Sequence, residues 1–103
     1  MQFDVHRNPV PAARGAYPYV VVLQSALADA GRRRVVAPLV PRHALALESN
    51  RLLPVLQVQG KEYAVLVPSL AAVGARDLDA PVESAAHARA DLLAAVDLLF
   101  FGV

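Results

Sequence analysis

The side chains with the most chemical potential are scattered along this chain. His6, His43 and His87 lie far apart, and none forms a metal-ligand pair of the HxxxH kind. Ser25, Ser49, Ser69 and Ser84 stand in no recognisable nucleophile setting. No glycine-rich phosphate loop is present, and the absence of cysteine excludes thiolate metal sites and disulfides. Asp91 and Asp97 would lie about 120° apart around a helix, so they do not form a facing acid–base pair. Gly31-Arg32-Arg33-Arg34 is the one charge run. Such a run can contact phosphate or an acidic peptide. Alternation along a strand puts Arg32 and Arg34 on one side, and a solvated face is the simpler reading. With little to support catalysis, attention moves to DLLAAVDLLFFGV, residues 91–103, which is apolar where chain ends are usually polar and frayed.

The composition sets the frame for these residues. A chain of 103 residues suits one domain, residues 1–103, and a domain this small gains from dimerisation. Hydrophobic residues make up 56% and charged residues 18%, which excludes a disordered chain. There is no apolar run of the roughly 18 residues a membrane span needs, and no secretory signal pattern. The cysteine-free sequence is compatible with a reducing cytoplasm, where we expect the protein. A formal net charge of +1 does not suggest nucleic-acid binding by bulk electrostatics. No cofactor or metal is expected.

Periodicity then predicts the elements. Residues 2–7 alternate, with Phe3 and Val5 on one side, and read as an edge or half-buried strand. Residues 8–16 carry two prolines and a glycine and read as a loop. Residues 18–24, PYVVVLQ, predict a central strand buried on both faces. Residues 33–40 predict a third strand, with a bulge or edge at Pro38, which cannot donate to a ladder. Residues 41–53 read as a loop with a short strand. Residues 54–70 are the clearest hairpin: Leu56 and Val58 alternate with Gln57 and Gln59, Gly60 supplies the turn, and Tyr63, Val65 and Val67 alternate on the return. Residues 74–81 read as another loop.

From about residue 83 to 100 the period becomes helical. Ala85, Ala88, Leu92, Val96 and Leu99 form one stripe, with Leu93 and Phe100 at its border. Ser84 or Asp79 is a candidate cap, and Gly102 a stop. Leu98 and Phe101 fall on the polar side, near Glu83, His87 and Asp91. The core does not need them there. Either the helix frays and Phe101 folds back, or a dimer seam or partner covers them.

The chain resembles CcdB, the toxin of the ccd toxin–antitoxin system, over its whole length. The resemblance rests on MQF-D-V at the start, LQS at 23–25, GRR followed by VVAPL at 31–39, LLPVLQVQGKEY at 52–63, LAAV at 70–73, and the segment from His87 to the closing DLLFFGV. It implies a mainly β fold with one C-terminal α-helix, an SH3-like barrel with an antiparallel sheet, in a homodimer whose helix ends lie near the two-fold axis. It implies a toxin without enzymatic activity, which binds the DNA gyrase A subunit, traps the cleaved DNA–gyrase complex and is neutralised by a CcdA-like antitoxin. No direct nucleic-acid or membrane partner is implied. Carried over by position, the gyrase-binding residues are Phe101, Gly102, Val103, Phe100 and Asp97, with Leu27 and Ala28 after the second strand. The dimer seam would hold Leu99, Gly102 and Val103. Phe101 replaces a tryptophan of the best-known poison, Asp97 an asparagine and Ala28 an isoleucine. The loop 8–16 with Arg14 is the candidate antitoxin contact. The alternatives are a homologue with little or no toxicity that acts only as an antitoxin-binding dimer, and a MazF-like endoribonuclease using His6, Arg7, Asp29 and Arg32.

Overall fold

The computed structural model describes residues 1–25, 27, 28, 31–44 and 50–102. Strands β1 (Asp4–Arg7), β2 (Tyr19–Val22), β3 (Arg33–Pro41), β4 (Val55–Val58), β5 (Lys61–Val65), β6 (Ala71–Gly74) and β7 (Glu83–Ser84) precede the helix α1 (Arg89–Phe101). The sheet runs β4-β5-β3-β2-β1-β7, with β6 also pairing β3, and every pairing is antiparallel. It forms a nearly closed, barrel-like sheet with one C-terminal helix, as the resemblance implies.

The β-branched run Tyr19–Val22 lies between β1 and β3, and Val20, Val21 and Val22 are all buried. β3 is long enough to serve two partners on its other edge: Arg33–Val36 pair with β6, and Leu39–Pro41 with β5. Pro38 pairs with Val20 of β2, but its carbonyl, which accepts from the Leu66 N–H, faces the other edge, where it falls in the break between β6 and β5, so its missing N–H interrupts no ladder. The strand is central, and the proline is accommodated by this local gap in pairing on one side rather than by a bulge.

The hairpin turns on Gln59 and Gly60, with φ of 52° and 80° and Val58 opposite Lys61. Two positive φ values in a two-residue loop define a type I′ turn. Gln59 therefore shares the left-handed conformation that the sequence assigns to Gly60 alone. Its N–H donates to Glu83 Oε1 at 2.6 Å, which ties the hairpin tip to β7 at the far end of the sheet order. β5 ends at Val65. Val67, expected on the return strand, opens a 3-10 turn and is still fully buried.

Three further stretches add to or depart from the sequence reading. Of residues 41–53, Pro41 ends β3, a 3-10 turn spans Arg42–Ala44, residues 50–53 hold no strand, and residues 45–49 lie outside the described residues. Residues 71–73, assigned to no element from the sequence, form β6 together with Gly74, the first residue of the expected loop, and a 3-10 turn spans Ala75–Asp77. The helix begins at Arg89 rather than near residue 83, and no side chain caps it. Its predicted first turn is held extended at Glu83–Ser84, because the Val82 N–H donates to the Val5 carbonyl and the Ala85 N–H to the Phe3 carbonyl, both at 2.7 Å, and a 3-10 turn at Ala86–Ala88 then leads into the helix. Pairing with β1 outweighs the helix propensity of alanine here.

The main core joins Phe3, Val5, Val21, Leu39, Leu56, Val58 and Val65 to Ala85, Ala88, Leu92 and Ala95. The Arg89 guanidinium lies 5.8 Å from the Phe3 ring centroid, and Tyr19 meets Tyr63 edge-on with centroids 5.3 Å apart. A smaller cluster of Val20, Val22 and Val36, with Val73 and Leu78 packed against it, lies apart from that core.

Candidate functional site

The C-terminal helix is apolar nearly all round: between Leu92 and Phe101 only Asp97 is polar. Its own chain covers one side. Leu92 and Ala95 are 0% exposed, and Leu93, Val96 and Leu99 are partly buried against the core. Phe100 and Phe101 are left 60% and 75% exposed. The helix does not fray, and Phe101 does not fold back. The Gly102 N–H donates to the Leu98 carbonyl at 3.0 Å, and Gly102 adopts φ 74°, the left-handed C-cap that glycine takes without steric cost. Tail and helix thus present the two rings from a rigid base. Phe100, expected at the border of the core stripe, is one of the exposed pair. Leu98 is only partly exposed.

Asp97 and Phe101 are one helical turn apart and both exposed, so the carboxylate and the ring share a face. Leu99 is the odd member of the predicted dimer seam, since it already packs partly against its own core. Val103 lies outside the described residues.

Leu27 and Ala28 stand in the connection between β2 and β3. Leu27 is 96% exposed, the most of any large apolar side chain among the described residues. Its N–H donates to Ser25 Oγ at 3.1 Å, the Ala28 N–H donates to the Ser25 carbonyl at 3.0 Å, and Gln24 Nε2 donates to the Ala28 carbonyl at 2.6 Å. The turn is thereby braced with its leucine outward. No hydrogen bond, ion pair or ring contact joins it to the helix end among the described residues, so within one chain these form two separate apolar projections.

The loop 8–16 is organised around the buried Asn8. Asn8 Nδ2 donates to the Tyr17 carbonyl, Asn8 Oδ1 accepts from the Val10 N–H, and Arg14 Nε donates to the Asn8 carbonyl at 2.6 Å. Arg14 is therefore a brace of the loop, while Val10 and Tyr17 are its exposed apolar residues. Periodicity could not reveal this, because the bracing depends on one asparagine closing the loop across nine residues.

Of the endoribonuclease constellation, the described residues His6 and Arg7 are not brought to one face. His6 and Arg7 are consecutive on β1 and point to opposite faces, one buried and one exposed. Asp29 lies outside the described residues. No group of three His, Cys, Asp or Glu side chains could hold a metal among the described residues. No helix there is long and apolar enough to cross a membrane.

The fold is a braced barrel with exposed apolar projections, and the family comparison puts it in the class of small toxins of toxin–antitoxin systems. The family model described as CcdB protein matches residues 2–102. The chain belongs to the CcdB family. No curated protein matches it.

Proposed function

We propose that the protein acts as a homodimer that binds the A subunit of DNA gyrase through the end of α1, performs no chemistry itself and traps the cleaved DNA–gyrase complex. Phe101, Gly102, Val103, Phe100, Asp97, Leu27 and Ala28 form the gyrase-binding set, and Leu99, Gly102 and Val103 contribute to the dimer seam. A CcdA-like antitoxin neutralises it. Gyrase as target places the protein in the cytoplasm.

The observation that carries this reading is the exposure of Phe100 and Phe101 on a capped, core-anchored helix. A helix apolar on all sides is normally covered on all sides. Here the barrel covers one side only, so the remainder calls for a second molecule. A self-complementary patch is what a two-fold interface uses, and exposed aromatic anchors are what a binding surface uses. Trapping requires only that the protein bind one state of its target better than the other.

The exposed Asp97 favours a second reading. A carboxylate one turn from Phe101 must be desolvated or paired when that face docks, which weakens binding if the target offers no cation. In that case the protein is an antitoxin-binding dimer with little or no toxicity.

A supercoiling and DNA-cleavage assay with the matched gyrase decides between them. The first reading predicts loss of supercoiling and accumulation of cleaved DNA when the protein is added. Unchanged supercoiling and no cleaved DNA, together with retained antitoxin binding, would establish the second.

A further inference from the structure

Arg34, the last of the arginine run, and the buried His6, neither used by the proposed gyrase surface, both line a cavity on the other face of the sheet. His6 pairs with Val20 across β1 and β2, and Val22 pairs with Val36 across β2 and β3. These residues share the face that carries the smaller apolar cluster. The turn Ala75–Asp77 closes over it, anchored by the Ala75 N–H donating to the Arg32 carbonyl at 2.7 Å. Beside the cluster is a cavity of about 480 Å³. Its walls include Val22 and Leu78, and its polar lining includes Gln2, His6, Ser25 and Arg34.

The donors and acceptors in this lining are unevenly used. Arg34 Nη1 donates to the Gly31 and Arg33 carbonyls at 2.8 and 2.7 Å. Its Nε and Nη2 have no hydrogen-bond partner, and no carboxylate pairs with it, among the described residues. Sequence alternation predicts a solvated Arg34, whereas the structure half-buries it at the cavity wall. Ser25 Oγ accepts from the Leu27 N–H, which leaves its own hydrogen free to donate. His6 Nδ1 lies 2.7 Å from the Asp79 carbonyl, which can only accept, so Nδ1 carries the proton and Nε2 of the neutral ring is an acceptor. The nearby Asp4 carboxylate is taken by the Met1 ammonium at 3.2 Å.

We propose that this cavity binds a small organic anion, a carboxylate or a phosphate monoester, whose charged end is held by Arg34 and Ser25 and whose body lies along Val22 and Leu78. A guanidinium edge with no partner among the described residues suits planar, multidentate binding of such anions. The volume falls within the range of about 300–1,000 Å³ typical of small-molecule sites, larger than a bare inorganic ion requires. His6 Nε2 selects for a hydroxyl or N–H on the body. The cavity adjoins the proposed gyrase-binding set at Ala28, which lines it, but its anion binding does not depend on gyrase being the target.

The test is an amide NMR titration of the intact protein with phenyl phosphate, benzoate and benzyl alcohol, which share a ring and differ in charge. Phenyl phosphate and benzoate should shift the Gln2, His6, Ser25 and Arg34 resonances, with benzyl alcohol at least about tenfold weaker. Arg34→Met should weaken both anions at least about tenfold and leave benzyl alcohol unchanged, while Arg34→Lys should retain part of the anion binding. Circular dichroism of each variant checks that the fold is kept. Equal binding of the three probes, no shifts at these residues, or anion binding unaffected by a folded Arg34→Met protein would overturn the proposal.

Discussion

The two ends of α1 are made of the same kinds of residue and have opposite fates. Around Leu92 and Ala95 the helix lies sealed against the barrel, while Phe100 and Phe101, two turns on, stand in solvent. Hydropathy alone does not separate them. What separates them is the reach of the sheet: the core that holds Leu92 also holds Phe3, Val5 and Val65, and past Leu99 it offers no further wall. The same side-chain chemistry therefore stabilises the fold at one end and is available for recognition at the other.

The sharpest way to break this comparison is to truncate each end in turn. Leu92→Ala should destabilise the protein by about 2–5 kcal/mol, read by urea unfolding, because the cavity it leaves is enclosed on all sides. A cost under about 1 kcal/mol would mean that the helix is not anchored there. Next in size is the hairpin turn. Gly60→Val puts a β-branched residue at φ 80° and should cost at least about 1–2 kcal/mol in the same measurement. Glu83→Ala removes the acceptor of the Gln59 N–H and should cost about 0.5–1.5 kcal/mol, with amide exchange at Gln59 accelerated well beyond that at Leu56. This variant tests whether the tie between hairpin tip and β7 helps to hold the barrel closed. Smallest on stability is Phe101→Ala, within about 0.5 kcal/mol, since the ring has little of its own chain to lose.

Much of this contrast is legible in the sequence, and the rest is illegible for definable reasons. The helical wheel places Leu92 inward and Phe101 outward, because both positions follow from a period fixed by local geometry. Gly102 as the stop is equally local. The helix start is not: Glu83 and Ser84 look like a first helical turn, and only β1, some eighty positions earlier in the chain, holds them as a strand. β6 is invisible because AAVG has neither alternation nor bulk, and its existence depends on the free edge of β3. The His6–Arg34 cavity is hidden for the same reason. Periodicity assigns each residue a face within its own strand, whereas the cavity depends on which faces the register brings together. Asn8 and Arg14 show this on a smaller scale, since loop composition marks residues 8–16 as irregular but not as braced.

The account rests on the free end of α1 being a recognition surface that the barrel does not need. The most direct measurement takes wild-type and Phe101→Ala proteins with matching melting temperatures and compares the gyrase-cleaved DNA each one traps. The account predicts trapping by the wild type and its loss in the variant. Equal trapping by the two proteins would contradict it.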